Sequence, residues 1–308
     1  MTVVSHDAPD DATAARLVST TQVFWQVGVF ISFICAFLVS TMSGATGGRV
    51  VFAILAVFAV IAWAWRVFSP TFRRFHEEAD ARDAARPATS YNNRKTSVMK
   101  VLFGADKKVL LTYFLAIVIF YVGWNLLANT WGQFQTYMFS KAGATQSLAT
   151  GLGIILNLVT LVLNIVFASI AGGKYRNKAF FVGIIISVIA MIAMAMGGAN
   201  LWVIVGATAF MNLGSPLAGE ALYKVWTQES FPIEIRASVQ GFINGFSRLC
   251  CGLFALITPA LVLPETIQAT MWCFAAIVVV EGIAGTVMIR AQKKYGTDEE
   301  RQFAKANA

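Results

Sequence analysis

Apolar residues in this chain run in long blocks broken by short charged segments. No Asp, Glu, Lys or Arg occurs between Arg16 and Arg49, between Lys108 and Lys141, between Lys141 and Lys174, or between Lys178 and Glu220. A helix crossing the hydrocarbon core takes about 20 mostly apolar residues. Each of the first three gaps therefore predicts one membrane-spanning helix with room for a turn. The fourth is long enough for two, divided at Gly197-Gly198-Ala199-Asn200, which is a turn signal. Further apolar runs complete a prediction of eight spans, near 23–41, 50–67, 109–130, 149–171, 179–197, 201–222, 238–262 and 268–289. The expected fold class is all-α, a polytopic membrane helix bundle. An even number of spans puts both termini on one side.

The basic residues say which side. Cytoplasmic loops of membrane proteins are enriched in Lys and Arg. With the N-terminus inside, the outer loops hold only Arg49 and Lys141, and Arg248 falls within a span, so the other 21 of the 24 basic residues are cytoplasmic. The expected location is the cytoplasmic membrane, multi-pass, with both termini in the cytoplasm.

Composition narrows the function classes. Charged residues make up 13% of the 308 positions, about half the share of an ordinary soluble domain, and 57% are hydrophobic. With a mean hydropathy of +0.66, this excludes a soluble globular enzyme and a disordered chain. The net charge of +8 reads as membrane orientation and contact with anionic lipid, not as nucleic-acid binding. Cys35, Cys250, Cys251 and Cys273 all fall in predicted spans, with no CxxC pair and no His nearby; His6 and His76 are in polar segments. No metal, haem or other cofactor is expected. Gly241 and Gly245, four apart, are expected to let two helices approach closely.

Five segments organise the chain: a cytoplasmic N-terminal stretch over 1–22, two spans over 23–67, a charged linker over 68–108, six spans over 109–290, and a tail over 291–308. The N-terminal stretch lacks the order of a signal peptide. Mixed charge and alanine at 79–85 suggest a surface helix in the linker, with a break at Pro87 and Asn92-Asn93.

Three cytoplasmic motifs carry a resemblance. Trp226-Thr227-Gln228-Glu229-Ser230-Phe231-Pro232-Ile233-Glu234-Ile235-Arg236, with its E-x-x-P-x-x-x-R core, resembles the loop between helices ten and eleven of major facilitator superfamily transporters. Gly172-Gly173-Lys174-Tyr175-Arg176-Asn177-Lys178 looks like the short basic loop between helices eight and nine, without its usual Asp. Phe68-Ser69-Pro70-Thr71-Phe72-Arg73-Arg74 is similar to the S-P-x-x-x-R element after helix six. Ala14-Ala15-Arg16-Leu17-Val18 looks like the entry to helix five, and the P-E-T-K-G element after the last helix is not found.

The resemblance implies a major facilitator type of fold, with these eight spans as helices five to twelve of twelve: a six-helix C-terminal bundle plus two helices of the N-terminal half. The first four helices are expected to be missing, which leaves those helices, or a second copy of the chain, as an expected partner. Within the superfamily, residues 22–28 and the amides of the third span look most like inositol or related polyol transporters.

Such folds rock two bundles around a midplane site, so polar side chains at mid-span depth are candidate ligands. The third span has Tyr121, Trp124, Asn125, Asn129, Trp131 and Gln133. Asn125 and Asn129 share a face with Tyr121. Amides match hydroxyl groups and an aromatic ring matches a sugar's C–H surface. The candidate solute-binding set is Asn125, Asn129, Trp124, Gln133, Asn212 and Asn244; the alternative is that the amides bind neighbouring helices. Asn157 and Asn164 are read mainly as interhelical. Gln22 and Gln26 would complete a cavity if they face inward. For coupling and gating, Glu220 is a candidate proton carrier with Arg248 as counter-charge, with Lys224 one turn on and a structural ion pair as the alternative. Glu281 is a further ionisable residue in the last span. Glu229, Arg236 and Arg176 are candidates for a cytoplasmic charge network that latches one conformation.

The resemblance implies a secondary transporter that moves a small hydroxylated solute, a sugar or a polyol such as inositol, by alternating access with proton coupling. The expected partners are that solute, protons and membrane lipid. The alternative is a truncated, transport-inactive remnant, or a fragment of a full-length transporter. A membrane-embedded enzyme is disfavoured, because the spans offer no His, paired carboxylates or activated Cys.

Overall fold

The computed structural model describes residues 11–40, 44–70, 73–74, 77, 81, 102–104, 106–197, 200–261, 263 and 265–306. The helices are α1 (Asp11–Ser40), α2 (Gly44–Phe68), α3 (Lys107–Lys141), α4 (Gln146–Ile170), α5 (Arg176–Met196), α6 (Leu201–Gly214), α7 (Glu220–Ser230), α8 (Ile233–Leu261), α9 (Ile267–Tyr295) and α10 (Asp298–Ala306). The N-terminal stretch to Asp10, the linker helix expected over 79–85 apart from Ala81, and the break at Pro87 and Asn92-Asn93 lie outside the described residues.

Among the described residues, seven helical stretches are long and apolar enough to cross a membrane: Ala12–Cys35, Thr46–Phe68, Lys107–Thr130, Leu148–Ile170, Arg176–Met196, Ile235–Leu261 and Ile267–Ala304, the last running from α9 into α10. The sixth expected span, 201–222, is present as a broken helix. It stops at Gly214, turns through Ser215–Gly219 and resumes as α7. Pro216 has no N–H to continue the ladder, and Leu217 and Ala218 N–H instead turn back to the Gly214 carbonyl at 3.0 and 3.2 Å. Asn200 starts α6 as expected of the turn before it, its side-chain oxygen accepting from Trp202 and Val203 N–H.

The chain divides into two compact units, residues 1–33 with 97–308, and residues 34–96. In the smaller unit α2 carries exposed Phe52, Phe58, Trp63 and Trp65, side chains suited to lipid. In the larger unit α3 lies at the centre, packed by α4, α7, α8 and α9, and α5 packs on α6 and α9. An aromatic knot joins α3, α5 and α7: Phe120 and Phe180 pack edge-on against Trp226 at 4.9 and 5.6 Å between ring centroids. All of 221–230 is buried, so α7 is an internal strut.

Close helix approach occurs at Gly183 and Gly214. A Cβ on Gly183 would lie 2.8 Å from the Gly214 carbonyl oxygen, and one on Gly214 2.7 Å from that of Gly183. The expectation for Gly241 and Gly245 is corrected: both are exposed on α8, with nothing within 4 Å of an added Cβ. Their spacing gives α8 a smooth outer face.

Candidate functional site

Four helical segments of the larger unit surround a cavity of ≈ 180 Å³. Helix α1 turns Gln22 and Gln26 into it, one turn apart, leaving Phe24 exposed. Helix α3 contributes Trp124, Ala128 and Gln135, and α4 contributes Asn157, Thr160 and Asn164. Asn212, Ser215, Pro216 and Glu220 come from the broken helix α6–α7. A discontinuous helix frees backbone groups and can place a charge at mid-membrane depth, which is where such transport folds hold their solutes.

The polar side chains form two chains of contacts. In the first, Lys224 Nζ lies 2.9 Å from Glu220 Oε1 and donates to Gln22 Oε1 at 2.7 Å. Gln22 Nε2 in turn donates to Glu220 Oε2 at 3.3 Å. Glu220 faces the cavity with Lys224 behind it. In the second, Gln26 Nε2 donates to Asn157 Oδ1 at 3.0 Å, and Asn157 Nδ2 donates to the Gly153 carbonyl at 2.8 Å. Thr160 donates to Asn212 Oδ1 at 2.9 Å, so α4 and α6 share a bond at the cavity wall. Trp124 Nε1 donates to Ser215 Oγ at 3.0 Å, while its ring stacks on Tyr121 at 5.9 Å.

Of the solute-binding candidates, Trp124 and Asn212 line this cavity. Asn125 and Asn129 are turned to α8: Asn125 Nδ2 donates to Ser247 Oγ at 2.8 Å, and Asn129 Nδ2 donates to Asn125 Oδ1 at 2.5 Å. One residue advances a helix by about 100°, so Trp124 and Asn125 meet different neighbours. Asn244 is exposed on α8, and the side chain of Gln133 lies outside the described residues. Two positions further on, Gln135 reaches the cavity. Its helical spacing from Trp124 and Ala128 was the available signal.

Among the coupling candidates, Glu220 pairs with Lys224 and not with Arg248, whose Nη1 donates to Asn129 Oδ1 at 3.1 Å. At the end of α7, Arg176 meets Glu229 through both terminal guanidinium nitrogens, Nη1 and Nη2, at 2.5 and 2.9 Å. Gln292 Nε2 donates to the same carboxylate at 3.2 Å. Arg236 donates to the Phe231 carbonyl at 3.1 Å and to Gln228 Oε1 at 3.3 Å. Glu281 is buried on α9 against α3, its Cβ 3.6 Å from a Cβ built on Gly123.

Among known proteins, the chain is 26% identical over 266 residues to the minor myo-inositol transporter IolF of Bacillus subtilis (strain 168), an alignment covering 85% of this chain and 58% of that protein. The chain thus spans less than two thirds of that relative's length. Its fold is similar to that of the major facilitator superfamily proton:xylose symporter XylE, solved with 6-bromo-6-deoxy-D-glucose bound, with a TM-score of 0.67 and 15% identity over 96% of this chain and 66% of that one. Residues 2–299 match the family described as sugar (and other) transporter. The chain belongs to that family, one of multi-pass membrane transporters and not of enzymes.

Proposed function

We propose that this chain forms the solute-binding part of a secondary transporter that moves a small hydroxylated solute, a sugar or a polyol such as inositol, across the cytoplasmic membrane. The observation that carries the reading is the cavity itself, where the amides of Gln22, Gln26, Asn157 and Asn212 and the carboxylate of Glu220 stand beside the ring of Trp124. Amides both donate and accept, as hydroxyls do, and an indole gives the apolar face of a ring solute something to pack on. The names of the two relatives, a myo-inositol transporter and a proton:xylose symporter, support the solute class and proton coupling.

The mechanism is alternating access. Residues 23–67 belong to one half and 109–290 to the other, both termini are cytoplasmic, and solute hydroxyls exchange with Gln22 and Glu220 as the halves move. Glu220, Arg248, Glu229, Arg236 and Arg176 are the groups assigned to coupling and gating. Because the chain spans 58% of IolF, a second reading is a transport-inactive part of a longer protein, completed by further helices or by a second copy of itself.

The test is uptake of labelled myo-inositol and D-xylose into proteoliposomes holding this chain, and separately the complete reading frame, with and without a protonophore. Uptake abolished by the protonophore is expected from the complete frame. Failure of that frame to carry either solute would overturn the proposal. Uptake by the frame but not by this chain favours the second reading.

A further inference from the structure

Helix α3 lines the cavity at Trp124, Ala128 and Gln135, steps of four and seven that keep one helical face. At 1.5 Å per residue, Trp124 and Gln135 stand roughly 16 Å apart along α3, further than a single sugar ring reaches. The cavity therefore has two ends. One is the Trp124, Ser215 and Glu220 end described above. The other is built by α1, α3 and α4 and has no assigned role.

At that second end α4 carries Gly153. A Cβ there would lie 2.9 Å from Phe33 Cε1 and 3.9 Å from Gln135 Nε2. The missing side chain leaves room beside α4 for the Phe33 ring and, next to it, the Gln135 amide, and both line the cavity. Gln135 is 5% exposed, yet its Nε2 has no hydrogen-bond partner among the described residues. Gln22, Gln26, Asn157 and Asn212 each have one. A buried amide left unpaired costs about 1–3 kcal/mol, a penalty that a bound hydroxyl would relieve.

We propose that Gln135 and Phe33 form a second solute station, in which the Gln135 amide bonds one hydroxyl of a ring polyol or sugar while the Phe33 ring packs against its C–H face. A hydroxyl both donates and accepts, so either orientation of the amide finds a match. Among the described residues that line this end, no cation stands ready for a carboxylate or phosphate, so the station suits uncharged solutes. This inference rests on the cavity being the solute path.

The experiment uses the complete reading frame in proteoliposomes, with labelled myo-inositol and D-xylose and their monodeoxy analogues as probes. The variants are Gln135→Leu and, should that fail to fold, Gln135→Asn. The expected result is a KM raised about tenfold for the parent solute, with the melting temperature of the solute-free protein unchanged or higher. One monodeoxy analogue, the one lacking the bonded hydroxyl, should be carried equally well by wild type and variant, which a merely structural role would not produce. Wild type that carries myo-inositol or D-xylose with a KM the variants share overturns the station alone. An equal loss against the parent and every analogue, with a lowered melting temperature, also overturns it. Wild type that carries neither probe overturns the solute path and the station together.

Discussion

Gln22 on α1 holds Lys224 on α7 through its side-chain oxygen at 2.7 Å, and its amide nitrogen reaches the Glu220 partner of that lysine at 3.3 Å. One amide thus reads both members of an ion pair whose side chains are only 8% and 15% exposed. Removing one partner of a buried pair leaves the other charge uncompensated and costs about 3–5 kcal/mol. Lys224→Met should therefore lower the thermal stability of the detergent-purified protein sharply, and Lys224→Met with Glu220→Gln should recover most of the loss. A Lys224→Met protein that melts with wild type would mean the pair is not buried as described.

The Arg176–Glu229 pair behaves differently because it depends on shape. Both terminal guanidinium nitrogens engage the carboxylate, at 2.5 and 2.9 Å. A lysine offers a single point charge and cannot reproduce the fork. Arg176→Lys should lose about 1–3 kcal/mol, close to the loss from Arg176→Ala. Neither residue lines the cavity, so under the proposed gating role loss of the pair should slow uptake while leaving solute-induced thermal stabilisation in place. Full rescue by lysine would argue against a bidentate requirement.

Much of this architecture is written in the charge gaps. Lys108 to Lys141 frames α3, Lys141 to Lys174 frames α4, and each gap holds one spanning helix because lipid tolerates few charges. Less legible was the break after Gly214. Ser215–Gly219 is apolar enough to read as continuous span, and only Pro216 between two glycines marks it. The site is harder still, since an amide at mid-span serves a solute or a neighbouring helix with the same chemistry. Spacing put Asn125 on the face of Tyr121, but which neighbour that face meets is set by tertiary packing, here α8. Gln135 carried a readable signal in its spacing from Trp124.

Asn125 and Asn129 give that ambiguity a direct test. Asn125 bonds Ser247, and Asn129 bonds Asn125 and accepts from Arg248. Neither lines the cavity. Interhelical hydrogen bonds in membranes are worth about 0.6 kcal/mol on average, so Asn125→Leu should cost about 1 kcal/mol of stability and leave the KM for uptake unchanged. A raised KM with normal melting would return Asn125 to the solute site.

Glycine substitutions should separate packed from unpacked helix faces. Gly183→Ala and Gly214→Ala each drive a methyl group toward a facing carbonyl oxygen and should cost about 1–3 kcal/mol. Gly241→Ala and Gly245→Ala meet nothing, and should be neutral or stabilise by about 0.5–1 kcal/mol through helix propensity. Gly219→Ala is the most informative of the set. Its Cβ would lie 2.6 Å from Trp124 Nε1 and also run into the Ser215 carbonyl oxygen. The first clash pushes the indole off Ser215 into the cavity, and the second is with backbone that cannot move aside. Gly219→Ala should therefore lose both stability and uptake. Because one of its clashes is with the main chain, Trp124→Phe should not rescue it. Recovery of melting temperature and uptake in the Trp124→Phe, Gly219→Ala double variant would show that the indole alone, and not the turn at the helix break, demands glycine there.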